Sequence, residues 1–328
     1  MSRKIEETWR TIRDRRSVDG LPTHLARTYG IDVSRVTPLD AGVYRVERDD
    51  AAAWVARMFP AARPADRAAG DADVLRFLEA HGLPAERLAH ESPLSTHDGQ
   101  TVLVTTFIAG APAGAGERTF HALGDLLGRL HSLPEGSDGV ARTAGAIHSF
   151  TLNEGGLQDE IAEAMSWLAE ADIPQAHRQS YDALIDRLAA IDFGDGLPQA
   201  LIHPDPVTKN FVATAGCDLV AIDWTGAGRG PRAHSLAFLL LGAIAGSRWN
   251  PRSSNVDAVV DGYRRHIELE DRELAAIGAV MPLHVLVRDI AAFCMGRMPF
   301  DDVAGGYAAI ARMGTAVAER IGRRSRIA

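Results

Sequence analysis

The feature that most constrains the fold of this chain is a change of hydrophobic period partway along it. Between Val36 and Phe59 apolar and polar side chains alternate, in Val43-Tyr44-Arg45-Val46-Glu47 and again in Trp54-Val55-Ala56-Arg57-Met58-Phe59, with Asp49-Asp50 as a turn signal between them. This predicts a hairpin with Gly42 in its first arm. Asp71 to His81 predicts a helix that presents Val74, Leu75 and Leu78 on one face and stops at Gly82, and the β-branched run Thr101 to Ile108 predicts a buried strand. Ala109-Gly110-Ala111-Pro112 then breaks the pattern. Beyond it the helical period dominates: Thr119 to Leu133 with Leu123, Leu126, Leu127 and Leu130 on one face, Leu157 to Ala171, Pro174 to Ile191, and the stretch from His234 to the end. Short strand-like pieces interrupt it at Leu201-Ile202, Phe211 to Ala213 and Leu219 to Ile222. The order is a strand-rich lobe, a hinge, and a helix-rich lobe carrying a small hairpin, an α+β arrangement.

A chain of 328 residues that is 46% hydrophobic buries a sizeable core, and its length fits two lobes sharing one cleft. Its net charge of -8 argues against a nucleic-acid footprint, which needs a basic face. The excess is uneven: residues 1–110 hold 15 basic and 16 acidic side chains, residues 111–328 hold 20 and 27. Such a surplus either draws a cationic substrate or keeps the surface solvated. Met1 to Arg16 is charged throughout, with no apolar segment of signal-peptide type, and Ser235 to Gly246 is too short to span a bilayer, so the expectation is a cytoplasmic protein without a membrane partner. Cys217 and Cys294 are isolated, which suggests neither a disulfide framework nor a structural zinc site.

Phosphoryl transfer requires few groups: a carboxylate that orients the attacking hydroxyl and takes its proton, metal ligands beside the phosphates, and a cation on the nucleotide. Asp205 follows His203 by two residues, Asn210 lies further along the same loop, and Asp223 ends the apolar strand Leu219 to Ile222. A loop, a hairpin and a second carboxylate can thus converge on one metal, and their hard oxygens suit Mg2+.

The stretch Ala200-Leu201-Ile202-His203-Pro204-Asp205-Pro206-Val207-Thr208-Lys209-Asn210-Phe211-Val212, followed by Leu219-Val220-Ala221-Ile222-Asp223-Trp224, resembles the catalytic loop and metal strand of the aminoglycoside phosphotransferase family. Gly124, Leu127, Gly128, Arg129, Leu130 and His131 are similar to that family's first long helix of the second lobe. The resemblance covers about Val36 to Leu241 and implies the two-lobed protein-kinase-like fold. Residues 1–35 would then be a helical extension (Glu6 to Arg16 and Leu21 to Tyr29), 36–110 the nucleotide-binding lobe, and 111–328 the helical lobe with the catalytic loop and substrate site.

Carried over by position, the family implies ATP and Mg2+ as cofactors. Asp205 becomes the catalytic base, His203 a stabiliser of the loop, and Asn210 and Asp223 the metal ligands. Adenine would meet the backbone of Thr106 and Ile108, and Gly42 would let the backbone approach the phosphates or would serve a plain turn. The chain has two lysines, Lys4 and Lys209, so the strand position of the phosphate-binding lysine falls to Arg57, with Asp71 as the helix acid that orients it. Lys209 either touches the γ-phosphate or points to solvent. Pro204 departs from the family's common Gly, and Ser235 from the Asp that braces the catalytic loop, which implies a stiffer but less firmly braced loop.

The resemblance implies a small-molecule acceptor. Antibiotics such as an aminoglycoside or a macrolide are candidates, which would make the protein a resistance enzyme; homoserine, choline or a protein hydroxyl are the alternatives within the same fold. The acids Glu268, Glu270, Asp271, Glu273, Asp289, Asp301 and Asp302 suit a polycation or form solvated helix faces, and Asp289, on an apolar segment, is the best placed to face a cleft. Two other classes remain: a weakly catalytic nucleotide-binding protein, and a metal-dependent hydrolase using His203, Asp205, Asp223 and His131 or His234. The assembly expected is a monomer or homodimer.

Overall fold

Alternation in the first third of the chain builds a sheet because one face of each strand has a helix to bury against. In this computed structural model residues 18–49, 51–134, 140, 142–144, 156–191, 193, 196–216 and 218–325 are described; the helix expected over Glu6 to Arg16, Asp50 of the turn signal and Cys217 lie outside them. Strands β1 (Val33–Asp40), β2 (Val43–Arg48), β3 (Ala51–Met58), β4 (Leu94–His97) and β5 (Gln100–Thr106) form an antiparallel sheet in the order β1-β2-β3-β5-β4. Tyr44, Val46, Trp54, Ala56 and Met58 point to one face, where Leu21, Leu25 and Tyr29 of α1 (Leu21–Tyr29) close the cluster. Gly42 is not inside a strand: it makes the β1–β2 turn with φ +69, a left-handed conformation that suits glycine. The helix expected from Asp71 begins earlier, as α2 (Ala65–Ala80), because Pro64 sets its entry and an alanine-rich turn continues it. Ala68 and Ala72 of α2 pack on Phe59 and Leu103.

The stretch read as a break also pairs. β6 (Ala111–Pro112), β8 (Phe211–Ala213) and β9 (Leu219–Ala221) form a three-stranded sheet, while β7 (Gln199–Ile202) pairs with β10 (Gly228–Pro231). Around them lie α3 (Glu117–His131), α4 (Gly156–Ala169), α5 (Arg178–Ala189), α6 (Arg232–Ala245), α7 (Ser254–Tyr263), α8 (Asp271–Val280), α9 (Leu283–Cys294) and α10 (Phe300–Ser325). The apolar stretch around Leu236 to Ile244 forms α6, with Leu236, Ala237, Leu240 and Ile244 fully buried. Asp271 to Cys294 is long and apolar enough to cross a membrane by composition, but 72% of its apolar window is buried in the protein and Pro282 divides it into α8 and α9. The result is an antiparallel-sheet region followed by a helical region. The two are stitched together at β9, where Ala221 N–H donates to Pro84 O and Glu86 N–H donates to Ala221 O, each at 2.9 Å.

Candidate active site

The loop between β7 and β8 is shaped by its own side chains. His203 is buried on Trp224, ring centroids 4.6 Å apart. Its Nδ1 accepts the Asp205 N–H at 3.1 Å, so Nε2 carries the proton and donates to Ile222 O at 3.0 Å. Burial pushes the ring below its usual histidine value, in keeping with that neutral form. Asn210 Nδ2 donates to both the backbone oxygen and Oδ2 of Asp205 at 2.9 Å, and Ile222 N–H donates to Asn210 O at 2.9 Å. The two segments that sequence reasoning expected to meet are therefore laced together, which brings the Asp205–Asn210 loop beside the strand end that carries Asp223. Lys209 is 73% exposed, with Nζ 3.7 Å from Asp205 Oδ2.

Ser235, at the start of α6, donates through Oγ to His203 O at 3.1 Å from a buried position. The loop brace expected to be missing is thus supplied by a neutral donor in place of a charged acceptor. Pro204 lies beside it in the wall of a cavity of about 240 Å³ that is also lined by His203, Ser235, His234, Arg229 and Gln199.

Arg57 reaches across from β3, and its Nη2 lies 3.1 Å from Asp223 Oδ1. Asp223 adopts φ +64, a left-handed conformation unusual outside glycine. Burial alone would raise its carboxyl, but the Arg57 guanidinium and then the Thr225 hydroxyl hold it below the usual carboxylate value. For Arg57, burial works against the charge, while Asp223, Glu86, Asp71 and Asp40 outweigh it and keep the guanidinium firmly protonated.

Asp71 differs from expectation. Its Oδ2 accepts from Arg63 at 2.8 Å, and its Oδ1 from Arg142 at 2.6 Å and from Gly226 N–H at 3.1 Å, so it anchors α2 to the segment after Asp223 instead of pairing directly with Arg57. Being one methylene shorter than glutamate, it is met by long arginines. Glu86, which sequence reasoning did not single out, is the other buried acid beside Arg57. Burial raises its carboxyl, Arg57 pulls the other way, and Asp223 adds to the rise. No local spacing marks Glu86, Arg63 or Arg142.

At the hinge, Thr106 N–H is committed to Arg87 O at 2.8 Å. Asp289 is not in the cavity wall. It is buried at Gly306 of α10 with Arg288 against its Oδ1 at 3.1 Å, because the polar face of α9 is covered by the last helix. Other acids of that surplus are occupied as well: Glu273 is buried against Arg232 at 2.7 Å, Asp301 meets His177 at 2.7 Å, and Glu270 with Glu273 caps α8. His131 lies away from the cleft, its Nδ1 2.8 Å from the Tyr263 hydroxyl. Among the described residues no group of three or more His, Cys, Asp or Glu side chains is arranged to hold a metal.

Residues 37–277 match the model of the phosphotransferase enzyme family. No curated protein matches the chain by sequence. Solved structures with the same fold include an aminoglycoside phosphotransferase from Alicyclobacillus acidocaldarius (17% identity, 90% of this chain and 93% of that one, TM-score 0.61). Choline kinase LicA from Streptococcus pneumoniae is similar at 16% identity over 91% and 98% of the two chains, TM-score 0.58. Macrolide 2'-phosphotransferase MphH from Brachybacterium faecium is similar at 19% identity over 89% and 98%, TM-score 0.55. These likenesses establish the kinase-like fold.

Proposed function

The chain belongs to the phosphotransferase enzyme family, and on the geometry of its cleft we propose that it transfers the γ-phosphoryl group of ATP to a hydroxyl of a small molecule. It is an ATP-dependent small-molecule phosphotransferase. The observation that carries the assignment of roles is the convergence of Arg57, Asp223, Asn210 and Asp205 from three separate segments. In this reading Asp205 receives the proton of the acceptor hydroxyl and Arg57 turns from Asp223 to the phosphates. Asn210 spends its amide nitrogen on Asp205, which leaves its carbonyl oxygen, with the Asp223 carboxylate, as the hard donors that suit Mg2+. When bound, Mg2+ neutralises charge on the phosphates. His203 keeps the loop in register by its two ring nitrogens. With its N–H already used, Thr106 offers its carbonyl to adenine and Ile108 its N–H, and the Gly42 turn covers the phosphates. Residues 36–110 form the nucleotide lobe, 111–328 the catalytic and acceptor lobe, and 1–35 an extension, of which α1 packs on the sheet.

The acceptor enters by the cavity at His203, Pro204 and Ser235. Similar structures are named for aminoglycoside, macrolide and choline kinases, which supports a resistance enzyme first and an amino-alcohol kinase second. The reaction is placed in the cytoplasm, on a monomer or homodimer, without nucleic acid or membrane. The test is ADP release coupled to a reporter, over aminoglycosides, macrolides, homoserine and choline. With the accepted compound, Asp205→Ala should lower kcat by about 10³-fold while ATP still binds. Near wild-type transfer in that variant would remove Asp205 from the mechanism.

A further inference from the structure

Glu86 has no part in that scheme, yet its carboxylate lies beneath the Arg57–Asp223 pair. It sits between α2 and β4, 8% exposed, on a segment bonded to β9 by its own N–H. Oε1 accepts the Asp223 N–H at 2.8 Å and the Trp224 N–H at 3.4 Å, and Oε2 accepts the Thr105 hydroxyl at 3.1 Å. It also lines, with Arg57, Asp71, Thr105, Trp224 and Thr225, a cavity of about 10 Å³, room for roughly one water. One carboxylate thus joins the hinge strand β5 to the backbone of the left-handed residue whose side chain faces the cleft. An aspartate at φ +64 keeps that conformation only if its surroundings dictate it, and the bond to a charged acceptor does so at the residue itself.

We propose that Glu86 is a positioning residue that fixes the backbone of Asp223 so that its carboxylate is presented to the metal of a bound nucleotide. The inference rests on the phosphotransferase reading, in which Asp223 is a metal ligand. When Arg57 leaves Asp223 for the phosphates, the Glu86 bond still fixes the Asp223 backbone, while the Thr225 hydroxyl remains on its carboxylate. A purely packing role would need only volume at position 86; a positioning role needs an acceptor atom there.

The experiment titrates Mg2+ onto the full-length protein saturated with the nonhydrolysable analogue AMP-PNP, by calorimetry, alongside a thermal melt. For E86A the Mg2+ dissociation constant should rise about 10-fold or more, the scale seen when a support of a metal ligand is removed. E86Q keeps an oxygen for the Asp223 N–H and an amide for Thr105, and should stay within about 3-fold of wild type. If E86A does not fold, E86M, which retains volume without an acceptor, carries the same expectation. A folded E86A or E86M with the wild-type constant overturns the inference, and so does an E86Q as weak as E86A. D223N separates the two levels: its loss of Mg2+ beside an unaffected E86A sinks Glu86 alone, whereas Mg2+ binding unchanged in D223N, or no Mg2+-dependent nucleotide binding in wild type, sinks the metal assignment itself.

Discussion

Ser235 stands where the resembling family shows an aspartate, and its hydroxyl donates to the His203 carbonyl at 3.1 Å. The polarity of that contact decides what the position tolerates. An alanine leaves a buried carbonyl without its donor, which costs about 1 kcal/mol of stability. An aspartate would set carboxylate oxygens against a carbonyl oxygen in a buried site, so the residue expected from the family should be worse here than alanine. Urea denaturation of Ser235→Ala and Ser235→Asp, with kcat on the accepted substrate, checks the order; an aspartate variant as stable as wild type would mean that the loop can reverse the bond. The same attention to donors explains Arg57: with no lysine on the sheet, a guanidinium spans to Asp223, and Glu86 as well as Asp71 adds to the field that keeps it charged.

Between elements, the seam of α3 and α7 depends on glycine. A methyl group at Gly124 would overlap the Val259 carbonyl, one at Gly262 the His121 carbonyl, and one at Gly128 would come within 2.7 Å of Tyr263 O. These are backbone atoms on both sides, so neither helix can yield by a rotamer change. Gly124→Ala should therefore lower stability by about 2 kcal/mol or more despite alanine's better helix propensity. Gly242→Ala, in α6, meets nothing within 4 Å and should be neutral or gain up to about 1 kcal/mol. Chemical denaturation of both separates a packing requirement from mere tolerance of glycine. The glycines at 124 and 128 were legible in the sequence as part of a family-like motif, but their physical reason lies on a helix more than a hundred residues away. Long helices, the alternating strands β2 and β3 and the β-branched run of β5 were likewise legible, since each carries its pattern locally. β1, β6 and β10 were not: β1 is nearly all exposed or half-exposed, and Gly228-Arg229-Gly230-Pro231 is a strand only because β7 lies beside it.

Across the whole molecule the site divides along the same line. Asp205, Asn210 and Asp223 were legible because short spacings tie them to one loop and the next strand, whereas Glu86 meets Asp223 over a separation of 137 residues and Arg142 meets Asp71 over 71. Burial that no local pattern reveals also sets the response of the fold to acid. His131 and His234 are buried and neutral, with burial lowering their values from 6.5 to about 3 and about 4. The unfolded chain takes up these protons as pH falls through 6.5 and the folded chain does not, so each contributes stability that is present above 6.5 and is lost as pH falls toward its folded value. The slope approaches about 1.4 kcal/mol per pH unit for each histidine. His203, also lowered, adds to it, and Glu86, whose carboxyl is raised, subtracts as it protonates first in the folded state. Asp223 and Asp257 are held low and lose their contribution only in stronger acid. Denaturant unfolding measured from pH 7.5 to 5 should show stability falling below 6.5, and His234→Asn should remove close to one proton from that slope whatever it does to the absolute value. A slope unchanged in the variant would show that His234 titrates alike in both states and that its place at the Phe193 carbonyl is open to water.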